Sequence, residues 1–275
     1  MPELPEVETV ARGLRESIAG RAIAEVQVRW PRSVTPLTPQ AFAARLTGQT
    51  ITTVGRRGKW IVVTLDAGTL LIHLRMSGRL IVERGEPSDG RHIRVLFSLD
   101  DGRRLCFYDQ RKFGRMRLVQ DPAEVLGALG PEPLGEDFTA ARFGEMLARR
   151  RGRIKPLLLN QHFLVGLGNI YSDESLWRAG VNPLRRADTL TPAEVQRLHL
   201  SIRGVLREAI VAGGTTLPDA AYQRTDGQPG EFAIRLAVYG RGGQACPRCG
   251  TEIERIRVGQ RSTHFCPRCQ PGPEM

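Results

Sequence analysis

The stretch Trp60-Ile61-Val62-Val63-Thr64-Leu65-Asp66-Ala67-Gly68-Thr69-Leu70-Leu71-Ile72-His73-Leu74 decides the fold class. Two apolar runs of strand length flank Asp66-Ala67-Gly68, a turn sequence, so the segment reads as a β-hairpin. The same texture continues on both sides. From Thr50 to Val119 strand follows strand, with further runs from Arg79 to Val82, Ile93 to Leu99 and Leu105 to Tyr108 and a second turn at Asp101-Gly102. Upstream, Ile23, Val26, Val28 and Trp30 alternate with polar residues in a mostly two-residue period. Short strands with little helix between them predict an antiparallel sandwich or barrel.

Before these strands, Leu4, Val7, Ala11, Leu14 and Ile18 recur at spacings of three and four, the buried stripe of an amphipathic helix that closes the sandwich or barrel. The chain begins Met1-Pro2-Glu3-Leu4-Pro5-Glu6-Val7-Glu8. If Met1 is removed, Pro2 carries a free secondary amine at the start of that helix. Such an amine can attack an aldehyde-level carbon as a lysine does in forming a Schiff base. A free α-amine titrates near neutrality, and the positive end of a helix dipole disfavours its protonated form further. Glu3 and Glu6 lie on one shoulder of the apolar stripe and can face a cleft together with Pro2. Read alone, this is also an ordinary helix start, with acids in the first turn complementing the dipole.

After the strands, Gly130-Pro131-Glu132-Pro133-Leu134-Gly135 marks a break, and the composition turns helical. A helix from Thr139 to Arg149 ends in the cationic run Arg149, Arg150, Arg151 and Arg153. A short helix around Ile154 to Asn160, a turn at Gly166-Leu167-Gly168 and a helix from Asn169 to Ala179 follow, stopped by Gly180. The free N–H groups at the start of the helix at Asn169 suit an anion. Thr191-Pro192-Ala193-Glu194 is a capping box opening a long helix that stops at Gly213-Gly214. Leu217 to Gly230 is polar and turn-rich, an irregular loop of the kind that serves as a lid. The expected organisation is residues 1–130 as a β-sandwich domain, 136–230 as a helical domain and 236–270 as a zinc-finger hairpin.

Cys246-x2-Cys249 and Cys266-x2-Cys269 match a four-thiolate zinc site, with Cys106 left over as a core thiol. Such a site is closed, so its zinc is structural, and no redox or organic cofactor is expected. Arg255, Arg257, Arg261 and His264 lie between the cysteine pairs. The net charge is +11, and 37 of the 40 cationic side chains are arginines, leaving only Lys59, Lys112 and Lys155. That balance points to a polyanionic partner, since guanidinium forks match phosphates. No signal peptide or membrane-spanning run is evident, so a cytoplasmic protein is expected, with no reason in the sequence for an oligomer.

The first eight residues, His73-Leu74-Arg75-Met76-Ser77-Gly78, Arg111-Lys112-Phe113-Gly114, Gly168-Asn169-Ile170-Tyr171 and the four-cysteine finger, in that order, closely resemble bacterial formamidopyrimidine-DNA glycosylase. The resemblance implies an α+β enzyme with a β-sandwich closed by the first helix, a helix-two-turn-helix domain and a zinc finger. Damaged duplex DNA would lie in the cleft between the domains. It implies excision of 8-oxoguanine and formamidopyrimidines through a Schiff base at Pro2, with Glu3 as general acid and Glu6 in support. It assigns Lys59 to β-elimination and Arg261 to the later δ-elimination. Met76, Arg111 and Phe113 match the residues that fill the hole left by a flipped nucleotide, and His73, His92, Arg150, Lys155 and Asn169 fall on DNA contacts. Gln110 and Lys112 depart from the family pattern, where proline and a second arginine are usual. Two other readings are an endonuclease VIII type enzyme for oxidised pyrimidines and a non-catalytic DNA-binding zinc protein.

Overall fold

The computed structural model describes residues 1–87, 90–217 and 222–272. Its chain divides into two compact units, one of Met1–Ala128 with Ile210–Ala233, the other of Leu129–Ala209 with Ile234–Met275. This partition differs from the three consecutive segments expected. The segment after the long helix groups with the sandwich, and the finger groups with the helices; buried polar contacts account for both. Among the described residues no helix is long and apolar enough to cross a membrane.

The first unit is built from α1 (Leu4–Ile18), β1 (Ile23–Val28), α2 (Pro39–Leu46), β2 (Ile51–Arg57), β3 (Trp60–Leu65), β4 (Thr69–His73), β5 (Gly78–Arg84), β6 (Ile93–Leu99), β7 (Arg103–Asp109), β8 (Arg115–Val119) and α3 (Ala123–Leu126). Two four-stranded sheets form, β1-β6-β7-β5 and β2-β3-β4-β8, with antiparallel pairing throughout. The opening hairpin pairs Trp60 with His73 and Thr64 with Thr69 around Gly68, whose φ is +96°. In β3 the residues Ile61, Val63 and Leu65 turn inward, as alternation requires, whereas β4 is buried at every position. The helix α2 was not anticipated. Thr38 caps it by accepting the Ala41 N–H, and Pro39 follows in the first turn, the same Thr-Pro start that opens the long helix of the other unit.

α1 lies on this core through Leu4, Val7, Val10, Ala11, Leu14 and Ile18, each at most 1 % exposed. Polar ties fix its register along β2. The Arg56 guanidinium reaches the Glu8 carboxylate at 3.0 Å, Glu8 also holds Arg12 at 2.7 Å, and Arg15 donates to the Val54 carbonyl. Burial acts to raise Glu8, but its hydrogen bonds to Arg12 and Arg56 win and hold it below the usual carboxylate range.

The second unit holds α4 (Ala140–Ala148), α5 (Ile154–Leu159), α6 (Asn169–Ala179) and most of α7 (Pro192–Val211), followed by the hairpin β9 (Glu254–Val258) and β10 (Arg261–Phe265). Thr139 caps α4, Gly180 ends α6 in the left-handed conformation, and Thr191 and Glu194 exchange the bonds of a capping box before α7. Between α5 and α6 the turn is organised by Gln161, whose amide donates to the carbonyls of Leu159 and Leu167 and accepts from Gly166.

Replacing Leu14 by alanine removes a fully buried side chain from under α1 and should cost about 3 kcal/mol. A urea-denaturation midpoint equal to that of the unaltered protein would contradict the role given to this helix.

Candidate functional site

The amino-terminal turn is the most constrained part of the first unit. Glu3 is the N-cap residue of α1 and Pro5 sits in the first turn, so Pro2 stands just ahead of the helix rather than inside it. Pro2 is buried, Glu3 is 3 % exposed and Glu6 is 2 % exposed, while Met1 is half exposed. Glu3 and Glu6 form a capping box, in which the Glu6 Oε2 accepts the Glu3 N–H at 2.7 Å. The other oxygen, Oε1, accepts the Thr215 N–H at 2.8 Å. Glu6 is therefore committed to two backbone groups. It fixes the start of the chain and does not stand open beside Pro2.

Lys59 occupies the second position of the two-residue turn joining β2 to β3, after Gly58, whose φ of +56° suits the first position of a type II′ turn. Lys59 is only 5 % exposed. Its neighbour Trp60 pairs with His73, and the two rings meet edge to face at 4.9 Å. His73 is buried, and its Nδ1 accepts the Arg75 N–H at 3.0 Å. Burial, with help from the charges of Arg75 and Lys59, pushes His73 down to about 3. A neutral ring in contact with the field of Lys59 is a polar wall, not a cation for a phosphate.

Met76 and Phe113 are 40 % and 45 % exposed, two of the few large apolar side chains on the surface of the described residues. Met76 lies in the loop from β4 to β5, where Arg75 has a φ of +56°; Phe113 lies in the loop from β7 to β8, where Lys112 has a φ of +61°. The Arg111 guanidinium covers the Phe113 ring at 5.0 Å, and the Lys112 ammonium sits 4.2 Å from the Trp30 ring. Asp109 and Ser77, which the sequence did not single out, hold these loops. Ser77 donates to the Asp109 Oδ1 at 2.6 Å and Gly114 N–H donates to Oδ2 at 2.6 Å. His92 is half-buried, with its Nδ1 3.4 Å from Arg94 Nη2, and its carbonyl accepts the Asp109 N–H.

In the second unit Arg149, Arg150, Arg151 and Arg153 are all exposed. Lys155, expected among the DNA contacts, is 0 % exposed, paired with Asp173 at 2.5 Å and donating to the Ser262 carbonyl at 2.9 Å and Thr263 Oγ1 at 2.7 Å. An ammonium so enclosed ties α5 to the hairpin. Asn169 joins it, since its amide also donates to the Ser262 carbonyl, at 2.9 Å. His264, placed by the sequence among the finger's cations, is likewise buried, with both its N–H and its ring nitrogen Nδ1 on Asp173 Oδ2. The adjacent Glu174 accepts the N–H groups of Ala237, Val238 and Tyr239. Burial still pushes Glu174 above the usual carboxylate range.

The hairpin turns at Gly259 and Gln260, both at positive φ, as a type I′ turn requires, and this presents Arg261 exposed at the tip of β10. Behind it the sulfurs of Cys246, Cys249, Cys266 and Cys269 lie within 4.8 Å of one another. Tetrahedral zinc, with Zn–S near 2.3 Å, spaces its sulfurs by about 3.8 Å; the Cys246–Cys269 and Cys249–Cys266 separations are 3.9 and 3.4 Å. The Trp177 indole N–H donates to Cys246 Sγ at 3.4 Å and the Cys269 N–H to Cys266 Sγ. Donors aimed at sulfur suit thiolates, so these four residues fit a zinc ion. Gln270 locks the end of the finger, donating to the Val181 carbonyl and accepting the Cys266 N–H.

Three family models match the chain: the formamidopyrimidine-DNA glycosylase N-terminal domain over residues 1–116, its H2TH domain over 129–220, and a zinc finger found in FPG and IleRS over 243–272. The chain is 49% identical over 274 residues to the formamidopyrimidine-DNA glycosylase of Chloroflexus aurantiacus, covering 98% of each. It resembles the crystal structure of a Lactococcus lactis FPG mutant in complex with Fapy-dG-containing DNA, with a TM-score of 0.92 at 36% identity over 98% of this chain and 100% of that one. A complex of the Lactococcus lactis Fpg with abasic-site DNA matches with a TM-score of 0.91, again at 36% identity over 98% and 100% of the two chains.

Two outcomes follow from the buried groups. His73 is held near 3 in the folded chain against an ordinary value of 6.5, so its contribution is fully present above about pH 6.5 and is lost as the pH falls toward 3. Between pH 7 and 5 the loss should be about 2 kcal/mol, and His73→Gln should abolish it in urea titrations; an equal loss in the variant contradicts the assignment. Lys155→Met strands the Asp173 carboxylate and should cost about 3–5 kcal/mol, read as a lowered melting temperature. An unchanged melt would mean that the ammonium does not hold the hairpin.

Proposed function

The chain belongs to the formamidopyrimidine-DNA glycosylase family, and with it to the DNA glycosylases of base excision repair; on that premise we propose that it removes oxidised purines, 8-oxoguanine and formamidopyrimidines, from duplex DNA and then cleaves the strand at the abasic sugar. The observation that carries the reading is the amino-terminal turn, where a buried Pro2 is followed by a buried, cap-fixed Glu3. Removal of Met1 turns the Pro2 nitrogen from an amide into a secondary amine. That amine attacks C1′ of the flipped nucleotide while Glu3 gives a proton to the sugar oxygen, opening the ring. The bond from C1′ to the base breaks, the base leaves with a proton, and an iminium joins Pro2 to the sugar. Its positive charge acidifies the C2′ protons, so that loss of one expels the 3′ phosphate, with Lys59 acting in this step. A second elimination, served by Arg261, expels the 5′ phosphate, and water returns the free amine.

The flipped base leaves a hole, and a few kcal/mol of lost stacking must be offset. Met76, Arg111 and Phe113 fill it, which is the reading that their exposure supports. Arg150, Lys155 and Asn169, the first residue of α6, contact the DNA, and Lys155 and Asn169 also hold the Ser262 carbonyl beside Arg261. Cys246, Cys249, Cys266 and Cys269 hold one structural zinc, which staples the hairpin and takes no part in bond breaking. The chain acts as a monomer in the cytoplasm. Met76 with Arg111 and Phe113 favours purine lesions over the oxidised pyrimidines of endonuclease VIII type enzymes.

Strand cleavage on duplexes carrying 8-oxoguanine or thymine glycol tests the substrate class. Faster cleavage of the 8-oxoguanine duplex is expected, and a preference for thymine glycol would overturn it. Arg150→Ala should flatten the log-log salt dependence of DNA binding by about 0.9, one phosphate's worth; an unchanged slope contradicts this contact. Cys249→Ser should lose zinc, measured by a chromogenic chelator, together with DNA affinity, while the sandwich stays folded by circular dichroism. Full nicking activity without zinc would make the finger dispensable.

A further inference from the structure

The two loops that carry the exposed side chains Met76, Arg111 and Phe113 are joined by a buried carboxylate to which no step of the reaction assigns a part. Asp109 is 0 % exposed at the last position of β7, paired in register with Gly78. Its Oδ1 accepts the Ser77 hydroxyl at 2.6 Å, and its Oδ2 accepts the Gly114 N–H at 2.6 Å. Ser77 Oγ in turn accepts the Arg111 N–H at 3.2 Å. The Asp109 carbonyl takes the Arg94 Nε–H at 2.7 Å, and its N–H bonds the His92 carbonyl at 2.9 Å. One side chain thus touches the residue after Met76 and the residue after Phe113. Through Ser77 it also reaches the backbone of Arg111.

Both loops need such a brace. Each contains a non-glycine residue in the left-handed region, Arg75 and Lys112, a conformation that costs about 1–2 kcal/mol and persists only where the surroundings enforce it. Gly114 leaves no slack, since a Cβ there would collide with the Phe107 ring. Two loops braced independently could drift relative to each other. Braced on the two oxygens of one rigid carboxylate, they are held in mutual register.

We propose that Asp109, acting through Ser77 and Gly114, is a positioning residue that sets Met76 against Arg111 and Phe113, so that the three enter the duplex as one preformed wedge. The inference rests on the wedge role given to those three residues above. Ser77→Ala cuts the link between the loops while keeping the bond from Asp109 to Gly114, and it removes no buried charge. Asp109→Ala cuts both links; Asp109→Asn keeps an acceptor for Gly114 and offers an N–H to Ser77 Oγ.

The readout is the fluorescence rise of 2-aminopurine placed opposite an abasic-site analogue in a duplex, which reports wedge insertion. Borohydride capture on a single-stranded abasic oligonucleotide, which needs no wedge, is measured alongside. Met76→Ala and Phe113→Ala should each reduce the insertion equilibrium; if neither does, the wedge reading itself fails, whatever Asp109 does. With that reading intact, Ser77→Ala should lower the insertion equilibrium about tenfold, the worth of one hydrogen bond of about 1.4 kcal/mol. Asp109→Ala should lower it further, and Asp109→Asn should recover most of the loss. Added to the Met76→Ala, Phe113→Ala double variant, Ser77→Ala should cost less than about twofold more, because residues that act through a shared contact are not additive. A further tenfold loss in that background, or a fall in single-strand capture by Ser77→Ala, would overturn the proposal.

Discussion

Two backbone N–H groups, those of Glu3 and Thr215, share one buried carboxylate, that of Glu6. Chain termini ordinarily fray, and a terminus that is to react must be held as firmly as any side chain in a catalytic site. Glu6 does this by closing the first turn of α1 on one side and seizing the segment after α7 on the other. Gly214 eases the approach, since its φ of +85° favours glycine and a Cβ there would stand a tight 3.0 Å from Glu6 Oε1. Tyr222, buried in the same core, donates to the Gly213 carbonyl, and burial with the nearby Glu6 charge pushes its hydroxyl up. Residues 210–233 belong to the sandwich unit for these reasons, although the sequence runs on from a helix of the other unit.

The second unit solves a different problem with similar means. A hairpin bearing Arg255, Arg257 and Arg261 on its surface has few apolar residues with which to dock. It is held instead by charge and by the cysteine cluster. Asp173 and Glu174, adjacent on α6, reach in two directions, Asp173 to Lys155 and His264, Glu174 to three successive N–H groups ahead of the finger. Buried ion pairs add little net stability over an apolar replacement. What this one supplies is direction, because the Ser262 carbonyl held by Lys155 and Asn169 is next to Arg261.

The strands, the buried stripe of α1, the helix pair around Asn169 and the cysteine cluster were legible in the sequence because each has a period or spacing of its own. The dual bond of Glu6 was not, since Thr215 is far away in the chain and only the fold brings its N–H near. The enclosure of Lys155 was not legible for a related reason, since only the fold brings the Ser262 carbonyl and Thr263 Oγ1 to its ammonium. Asp109 gave no signal beyond its place before Gln110, although a carboxylate at the end of a strand, facing a Ser-Gly pair where the partner strand begins, is a pattern that pairing registers could disclose. The loop expected over Leu217 to Gly230 falls partly outside the described residues, at 218–221. Its described remainder closes on itself through Thr216, Arg224 and Gln228, and Thr225 packs on Gly13 of α1 so closely that a Cβ there would collide.

In the proposed reaction the Pro2 nitrogen is the atom that meets the sugar. Borohydride reduction during reaction with an abasic-site duplex, followed by digestion and mass spectrometry of the DNA-linked peptide, measures this directly. The adduct is expected on the amino-terminal peptide beginning at Pro2 with Met1 absent, and it should vanish when Met1 is retained. An adduct on Lys59, or one formed equally well with Met1 in place, would contradict it.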